Sequence, residues 1–452
     1  MKSLRDVYNC DSITLNVSNA CPLSCFYCFE HKKDAKMMDL ETAKKIIDNT
    51  YRKLNGKQKF TVNLFGGEPF TNWSMIKGLI DYTESKHYDI HYAATTNLVI
   101  LTDEMIQYID DYSINLLVSI DGVKEVHDRN RSNSYDRVAE NIKKLIDAGC
   151  GILIEGRITV PPTEVSHMSE GVKHVWDLGI NSICPIPVTD MEWTKEDLET
   201  YRSEYRKVLQ FYMEKVQVKD ADRNIYIKNT DELLGNVMDN LVEDIFMCPI
   251  TSDKWCVFDP EGDIYQCHQL AYDGKEKCIG NVNTGIDEDK RLTGVLTAGF
   301  NLDRCKGCKA SCVCKGGCPA ENLRENGSTG EPTKAYCDIK VIQVEEASTE
   351  REELMKATTL NSRFLNMVKM NTEAKHYLDT VIMTADPLDI RFDTKVRHFQ
   401  EKVDSLKDAN ILLPSFDQYF KFKFALIFKR MTNVIEDATN NINSMMNNKE
   451  SK

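Results

Sequence analysis

The sequence SITLNVSNACPLSCFYC occupies residues 12–28 and joins a short alternating segment to three closely spaced cysteines. Apolar side chains at Ile13, Leu15 and Val17 alternate with polar ones, a pattern that predicts a β-strand. Barrels of parallel strands carry their active sites on the loops that follow the strands. Cysteines directly after a strand therefore predict a functional loop at the carboxyl end of a barrel.

The cysteines of this loop are Cys21, Cys25 and Cys28, with the spacing C-x3-C-x2-C. A cubic iron–sulfur cluster needs four ligands, so three thiolates leave one iron open for a small molecule. The same residues could instead bind zinc with His31 as the fourth ligand, or be buried thiols. The spacing alone leaves these alternatives open.

A second predicted strand, Thr61–Phe65, leads directly into Gly66-Gly67-Glu68-Pro69. Two adjacent glycines allow a ligand to approach the backbone closely. The carboxylate of Glu68 is able to accept a hydrogen bond from an ammonium group. Taken by itself, this GGEP motif could also be a turn with a solvated glutamate.

Together, the cysteine loop and the GGEP motif resemble the radical S-adenosylmethionine (radical SAM) superfamily. The resemblance implies that the three cysteines hold a four-iron, four-sulfur (4Fe–4S) cluster whose open iron binds S-adenosylmethionine. It also implies reductive cleavage of that molecule to methionine and a 5′-deoxyadenosyl radical, which removes hydrogen from a substrate.

The resemblance extends to the segment Ser119-Ile120-Asp121-Gly122, which follows the fourth predicted strand and resembles the family's ribose and carboxylate contacts. Polar residues at strand ends are also common caps and turn formers. The residues to which the resemblance assigns S-adenosylmethionine contacts are Tyr27, Gly66, Gly67, Glu68, Pro69, Asn97, Ser119, Arg131 and Arg157.

The chain has 452 residues, of which 42% are hydrophobic and 28% charged, as in an ordinary globular protein of several domains. Its formal net charge of −13 argues against a nucleic-acid partner, which would need a basic face. No apolar run is long enough for a signal segment or a membrane span, so we predict a cytoplasmic protein. Its 16 cysteines then indicate metal or redox use rather than disulfides.

Short apolar strands alternate with amphipathic helices from Ser12 to about Thr200, which predicts a parallel sheet with helices outside it. Six such units and the motif positions predict an α/β fold, a partial (β/α)6 TIM-like barrel. Tyr201–Val218 is predicted to be a polar helix that leads out of the barrel. The strands are predicted to begin near Ser12, Thr61, Ile90, Asn115, Ile152 and Ser182, and the helices near Asp39, Trp73, Thr102, Ser134, Ser166 and Thr194.

A second group of cysteines begins at Cys248 and continues through Cys267, which follows Gly262, to Cys337. A zinc ribbon would use only part of this set. The whole pattern resembles the SPASM extension of radical SAM enzymes, which holds two auxiliary 4Fe–4S clusters. The resemblance assigns Cys248, Cys256, Cys267 and Cys318 to the first auxiliary cluster, and Cys305, Cys308, Cys314 and Cys337 to the second.

Cys256 decides whether the first auxiliary cluster is fully ligated by the protein. If it is not a ligand, that cluster keeps an open iron able to bind a substrate thiolate. The remaining cysteines are predicted to be buried or incidental thiols, and they are Cys10, Cys150, Cys184, Cys278 and Cys312.

These patterns divide the chain into four predicted parts. The C-terminal part is rich in Glu, Lys, Asn and Met, and either binds a partner or packs against the barrel. It includes an apolar segment, Phe420–Met431, and a frayed tail after Asn440. The predicted parts are residues 1–220, the radical SAM partial barrel; 221–247, a connector; 248–340, the SPASM domain; and 341–452, a helical region.

SPASM enzymes act mostly on peptides, so the resemblance implies a peptide-modifying enzyme. One subfamily joins a Cys sulfur to a carbon atom, a thioether crosslink, in ribosomally synthesised precursor peptides. Another, the anaerobic sulfatase-maturating enzymes, oxidises a Cys or Ser to formylglycine and has an acidic base directly after the glycine-linked cysteine. This chain has His268 there, which favours a thioether-forming maturase. His268 is a candidate general base with an ordinary pKa of about 6.5, or a structural residue.

The expected partners are a precursor peptide and a reductant such as flavodoxin or ferredoxin. Many peptide maturases begin with a precursor-recognition domain, which residues 1–11 are too few to form. Recognition is then expected from the C-terminal helices, a separate recognition protein or the barrel mouth. The alternatives of another class are a non-catalytic iron–sulfur electron carrier and a zinc-binding interaction module, and the intact cysteine loop and GGEP motif argue against both.

Overall fold

A computed structural model describes most of the first three quarters of the chain and selected parts of the rest. The described residues are 12–30, 34–54, 60–216, 225–228, 230, 248, 250, 255–291, 305–311, 314, 316–356, 378, 392–408, 420 and 432. The predictions that lie outside them concern Cys10, His31, Cys312, most of the 221–247 connector, the segment Phe420–Met431 apart from Phe420, and the tail after Asn440.

Six parallel strands in chain order, with helices between them, confirm the predicted partial (β/α)6 architecture. The predicted strand and helix starts agree with the structure to within about two residues. A helix that the sequence analysis did not predict, α4, follows the fourth strand. The strands are β1 Ser12–Ser18, β2 Phe60–Gly66, β3 Ile90–Thr96, β4 Asn115–Ser119, β5 Ile154–Val160 and β6 Ser182–Pro187. The helices are α1 Leu40–Lys53, α2 Trp73–Ser85, α3 Asp103–Asp111, α4 Lys124–Asn130, α5 Tyr135–Asp147, α6 Met168–Asp177 and α7 Lys195–Val216.

Strand β1 follows from its alternating sequence. Ile13, Leu15 and Val17 are fully buried in the main hydrophobic core, where each contributes roughly 2 kcal/mol. Thr14 lies between them on the opposite face, inside the barrel, and its hydroxyl accepts a hydrogen bond from Trp255 Nε1 at 3.0 Å. At this strand, the inward face is therefore polar and the outward face apolar.

The helix starts follow from capping side chains. The carboxylate of Asp39 accepts a hydrogen bond from the backbone N–H of Thr42 at 2.8 Å, at the start of α1. Thr102 caps α3 in the same way, with the N–H of Met105 as donor. Ser134, although predicted in a capping position, makes no side-chain cap at α5.

The sheet does not end with the six barrel strands. A short strand, β7 Tyr226–Ile227, extends it beyond β6, and β8 Trp255–Phe258 pairs in parallel with β1 at the opposite edge. Three antiparallel strands then continue from β8, so that a single eleven-stranded sheet joins the barrel to the cysteine-rich region. The further strands are β9 Asp263–Tyr265, β10 Gly280–Asn281 and β11 Gly285–Ile286.

The helices outside the barrel are α8 His268–Asp273, α9 Pro319–Asn326, α10 Lys334–Lys356 and α11 Phe392–Asp408. The chain divides into two compact units, residues 1–217 with 225–351, and residues 218–224 with 352–452. The barrel and the cysteine-rich region thus belong to one unit, because β8 joins their sheets.

The segment predicted as a polar exit helix is the second part of α7. Its Tyr201 is almost fully buried, and the hydroxyl accepts a hydrogen bond from Gln343 of α10 at 2.8 Å. Arg202 contacts Glu345 and Glu346 of the same helix, each at 2.9 Å. This helix therefore packs inside the first unit instead of leading out of the barrel.

In the second unit, the described residues include α11 and the isolated residue Phe420. Phe399 of α11 and Phe420 are both buried, with ring centroids 5.4 Å apart. The helical character predicted for the C-terminal region is confirmed for α11. Within the described part of the chain, every helix is too short or too polar to cross a bilayer.

The contact between Gly122 and Gly171 generates a prediction on stability. Gly122 has a φ of +92°, and a Cβ at this position would lie 2.4 Å from the Cα of Gly171 in α6. We expect Gly122→Ala to cost the left-handed penalty of about 1–2 kcal/mol and a further 1–3 kcal/mol for overpacking. Urea unfolding measures this loss.

Gly149 supplies the matched control, because its φ of +87° is similar and a Cβ added there would have no atom within 4 Å. Gly149→Ala should therefore show the left-handed penalty alone. Equal losses in the two variants would contradict a close approach of α6 to the loop after β4.

Candidate functional site

The three predicted cluster cysteines lie on one loop between β1 and α1, and all are partly exposed. The backbone N–H of Leu23 donates to Cys21 Sγ at 3.4 Å, and Asn97 Nδ2 donates to the same sulfur at 3.5 Å. Arg131 Nη1 lies 3.9 Å from Cys25 Sγ. Donors directed at sulfur suit anionic thiolate ligands of iron. The residues present therefore fit an iron–sulfur cluster.

The two glycines of the GGEP motif hold this loop to the end of β2. The N–H of Gly67 donates to the carbonyl of Ser18, and the N–H of Glu68 to that of Ala20, both at 2.8 Å. A Cβ at Gly66 would lie 2.1 Å from the Ser18 oxygen, and one at Gly67 2.6 Å from a carbonyl of the loop. The glycines are thus required by the approach of the protein's own backbone, whereas the motif alone suggested the approach of a ligand.

The carboxylate of Glu68 is completely buried and bound by protein donors. Its oxygens accept hydrogen bonds from Phe70 N at 3.0 Å, Thr96 Oγ1 at 2.8 Å and Asn97 N at 2.7 Å. Burial raises the pKa of this group to about 7, although the three hydrogen bonds oppose the shift. The carboxylate thus joins the ends of β2 and β3, and its contact with an ammonium group stays a prediction.

Asp121, at the end of β4, is the centre of a buried network. Its carboxylate accepts hydrogen bonds from the Tyr27 hydroxyl, from Asn130 Nδ2 at 3.1 Å and from Thr159 N at 3.0 Å. Arg131 Nε lies 3.0 Å from the same carboxylate. Asp121 thus brings Tyr27 and Arg131 together. Both were predicted to contact S-adenosylmethionine, whereas Asp121 was not.

Arg131 lies between this carboxylate and the cysteine loop. Its guanidinium carbon is 5.3 Å from the centre of the Tyr27 ring, a cation–π distance, and Nη2 donates to Thr159 Oγ1 at 3.3 Å. Burial raises the pKa of Tyr27 well above its usual range, so its hydroxyl keeps the proton that it donates to Asp121.

Two further predicted contacts, Ser119 and Arg157, are direct neighbours on β4 and β5 and share the inner face of the barrel. Within the part of the chain that the structure describes, the Arg157 guanidinium makes no hydrogen bond or ion pair. Burial lowers the pKa of this group. A partly buried cation without a counterion among the described residues is unfavourable, so this position favours an anionic ligand.

Aromatic rings line the opposite side of the interior. His268, at the start of α8, lies with its ring centroid 4.7 Å from Phe65, 5.6 Å from Phe29 and 5.8 Å from Trp255. Burial, with a smaller contribution from Arg157, lowers the pKa of His268 to about 4. The expectation of an ordinary pKa is therefore wrong, and the packing favours the structural alternative. No periodic pattern in the sequence marks this aromatic set, because its members come from four separate segments.

Cys267 belongs to a small cluster of buried side chains with Leu270 and Ala320, and two more of the predicted auxiliary ligands, Cys248 and Cys318, pack against this cluster. Cys267 and Cys318 are the N-cap residues of α8 and α9. Burial raises the pKa of the Cys267 thiol to about 11.

Cys256, the fourth predicted member, belongs to a different cluster of side chains. It is buried in the main core, paired in register with Ile13 of β1. Its place in the four-cysteine set stays a prediction.

The second predicted set comprises Cys305, Cys308, Cys314 and Cys337. Cys308 N donates to the Cys305 carbonyl at 3.1 Å, and Gly316 N donates to Cys314 Sγ at 3.3 Å. Cys337 lies in the first turn of α10, and the neighbouring Tyr336 side chain bonds to Cys314. Local turns thus hold Cys305, Cys308 and Cys314, and Tyr336 connects the first turn of α10 with Cys314.

The remaining described cysteines show no sign of a metal role. Cys150 and Cys184 are buried, as predicted. The thiol of Cys278 donates to the carbonyl of Gly280 at 3.0 Å.

Comparison with known proteins identifies a radical SAM domain and agrees with the fold. A model of the radical SAM superfamily matches residues 15–170. Mycofactocin maturase MftC of Mycolicibacterium smegmatis is 26% identical over 325 residues, which cover 68% of this chain and 78% of that protein. A cysteine-type anaerobic sulfatase-maturating enzyme of Clostridium novyi is 22% identical over 347 residues, 71% of this chain and 90% of the relative.

Solved structures agree at the level of the fold. The structure of native anSMEcpe with bound AdoMet has a TM-score of 0.64 and 18% identity, and the match covers 77% of this chain and 100% of the other. Streptococcus suis SuiB, bound to its precursor peptide SuiA, has a TM-score of 0.52 and 16% identity over 73% of this chain and 76% of SuiB. The cysteine loop and these matches together show that residues 15–170 form a radical SAM domain and that the chain is an enzyme with maturases among its homologues.

Proposed function

We propose that this protein is a radical SAM peptide maturase that forms a thioether between a Cys sulfur and a carbon atom of a precursor peptide. The observation that carries the proposal is the cysteine loop, which opens on a barrel interior with one polar, cationic side and one aromatic side. The homologous maturases and the fold shared with peptide-bound SuiB support a peptide as the substrate.

Radical SAM enzymes bind S-adenosylmethionine and a 4Fe–4S cluster. We assign the cluster to Cys21, Cys25 and Cys28. Bound together, the cluster and S-adenosylmethionine supply a 5′-deoxyadenosyl radical that removes hydrogen from an unactivated C–H bond.

The protein's own residues would bind and orient S-adenosylmethionine. Arg157, whose charge has no counterion among the described residues, and the adjacent Ser119 are suited to a carboxylate. Asp121 fixes Tyr27 and Arg131 beside Cys25, so the ring and the guanidinium are preorganised before the ligand binds.

The aromatic residues would exclude water from the reacting atoms. Phe29, Phe65, Trp255 and His268 form contiguous ring contacts inside the barrel. A dry site prevents side reactions of reactive intermediates. His268 belongs to this wall, and we assign it packing instead of proton transfer.

Joining sulfur to carbon removes two hydrogens from the peptide, so an electron acceptor and a reductant complete the system. We propose auxiliary clusters at the two later cysteine groups as acceptors, and flavodoxin or ferredoxin as the reductant. Recognition of the precursor by a separate protein also belongs to this proposal.

A second candidate activity is that of an anaerobic sulfatase-maturating enzyme. It is favoured by the match to the Clostridium novyi enzyme, which covers 90% of that protein. The neutral, ring-packed His268 argues against it, because that chemistry is expected to use an acidic residue after the glycine-linked cysteine.

Mass spectrometry of candidate peptides distinguishes the two activities. The anaerobically reconstituted, reduced enzyme is incubated with S-adenosylmethionine and a Cys-containing peptide encoded beside its gene. A loss of two hydrogens, with fragmentation blocked across a Cys-containing ring, supports the thioether. An aldehyde that reacts with a hydrazine probe would support formylglycine and overturn the thioether proposal.

Replacing the loop cysteines tests the cluster assignment. We expect Cys21→Ala, Cys25→Ala and Cys28→Ala each to abolish 5′-deoxyadenosine formation and to lose about four iron atoms per chain. Chromatography of the reaction and iron analysis measure both effects. The control is Cys150→Ala, which removes a buried thiol of the core and should keep both.

Retained 5′-deoxyadenosine formation in a loop variant would contradict the assignment. The same measurements on the unsubstituted enzyme distinguish a radical SAM enzyme from an electron carrier and from a zinc-binding module. An electron carrier should form no 5′-deoxyadenosine, and a zinc-binding module should contain zinc and show no visible chromophore.

Removing the negative charge of Asp121 should weaken both the fold and S-adenosylmethionine binding. Asp121→Asn leaves the buried Arg131 without its counterion, and breaking such a pair costs about 3–5 kcal/mol. We expect a lower urea midpoint and at least about tenfold weaker binding by calorimetry, which corresponds to about 1.4 kcal/mol.

The matched control for Asp121→Asn is Glu164→Gln, because Glu164 pairs with the more exposed Arg129. Exposed pairs contribute about 0–1 kcal/mol. If the two variants were equally stable, the central role of Asp121 would be refuted.

Glu68 should act through position instead of ligand contact. In Glu68→Gln, an amide NH2 replaces an acceptor and faces one of the donors Phe70 N, Thr96 Oγ1 or Asn97 N. An unsatisfied buried donor costs about 1–3 kcal/mol, measured by urea unfolding of the protein without S-adenosylmethionine.

Glu41→Gln on the exposed face of α1 is the control and should change stability by less than about 0.5 kcal/mol. A Glu68→Gln variant of full stability with impaired ligand binding would show instead that the carboxylate meets the ligand.

A further inference from the structure

Strand β8 carries Cys256 on the face that belongs to the barrel core. In the parallel pairing of β1 and β8, Cys256 lies opposite Ile13 and Phe258 opposite Leu15. All four side chains are at most 3% exposed and belong to the same main hydrophobic cluster. The Cys256 sulfur is therefore enclosed between the sheet and its outer helices.

The other three thiols of the first auxiliary set lie in or against a second cluster. Cys267 belongs to this small cluster, and Cys248, Cys318 and Trp255, the residue immediately before Cys256, pack against it. Successive side chains of a strand point to opposite faces of the sheet. Cys256 therefore points away from the face on which Trp255 meets this cluster.

The β8–β9 hairpin leads to the same conclusion independently. Val257 pairs with Tyr265, and Phe258 pairs with Ile264. Continuing this antiparallel register places Cys267, whose backbone is extended, beside Trp255 and on its face. Cys256 then has Gln266 as its neighbour, and rotating its side chain does not bring the sulfur through the sheet.

We propose that the first auxiliary centre is held by three thiolates, from Cys248, Cys267 and Cys318, and that Cys256 is a residue of the barrel core. A 4Fe–4S cluster with three protein thiolates keeps one iron for an external ligand, and thiolates are the soft ligands that iron–sulfur sites prefer. The centre would accordingly accept a thiol, which releases its proton on binding. This inference rests on the proposed function in one respect, the presence of an auxiliary cluster at these cysteines.

Iron and sulfide analysis of reconstituted full-length variants tests the ligand set. Three clusters correspond to about twelve iron atoms per chain. We expect Cys256→Ala and the closer-sized Cys256→Val to retain the iron of the unsubstituted protein, as should Cys150→Ala, another buried core thiol. Cys267→Ala and Cys318→Ala should each lose about a third of it.

A folded Cys256→Val variant, checked by circular dichroism, that loses as much iron as Cys267→Ala would overturn the proposal. Two substitutions are used because a small cavity in Cys256→Ala could by itself impair folding. Iron content does not depend on the peptide, so retained iron with an unmodified peptide would refute the proposed function and leave this inference intact.

The open position is tested with dithiothreitol as the probe. The triple variant Cys21→Ala, Cys25→Ala and Cys28→Ala removes the other cluster that has an open iron. In this background, we expect the paramagnetic resonance spectrum of the reduced auxiliary centres to shift on addition of the thiol, with or without Cys256→Val. A spectrum that does not respond to dithiothreitol would contradict an open iron.

Discussion

The whole site depends on a short backbone ladder between the cysteine loop and the end of β2. Gly67 and Glu68 donate to the carbonyls of Ser18 and Ala20, which extends the β1–β2 pairing past the last regular strand residues. Only glycine fits where the two backbones approach so closely. The loop that presents the cysteines is therefore part of the sheet edge instead of an independent flexible segment.

Glu68 carries this constraint to the next strand. By accepting from the Asn97 N–H, its carboxylate fixes a residue whose side chain donates to Cys21. The same motif residue thus helps to position the Cys21 sulfur, the proposed cluster ligand, without contacting it. A buried carboxylate with three donors is rigid, and rigidity of the supporting contacts is what holds ligands in a productive geometry.

Charge balance inside the barrel explains the polarity of the site. Arg131 has a counterion in Asp121, whereas Arg157 has none among the described residues. The described side chains of the β4–β5 side thus include one carboxylate and two guanidinium groups, which leaves one positive charge in excess, and the facing rings of Phe65 and Trp255 carry no charge. An anionic group on the ligand would therefore be drawn to the β4–β5 side, away from the rings.

Sequence reasoning was successful where the signal was local. The alternation at Ile13, Leu15 and Val17 and the capping position of Asp39 located elements to within a residue or two. It did not predict the enclosure of Glu68 or the central position of Asp121. Both depend on which strand ends become neighbours, and a linear pattern contains no such information.

The pairing of β8 with β1 joins the barrel to the cysteine-rich region, and the sequence analysis did not predict it. Strand β8 has only four residues, WCVF, and so short a segment shows no alternation from which its buried face could be predicted. The face on which a side chain lies decides which residues surround it. Because Cys256 pairs with Ile13, its side chain lies on the core face of the sheet. The preceding residue, Trp255, lies on the other face, against the small cluster that contains Cys267. A cysteine that fits a ligand pattern by its spacing thus lies on the core face of its strand, and only the pairing with β1 reveals which face that is.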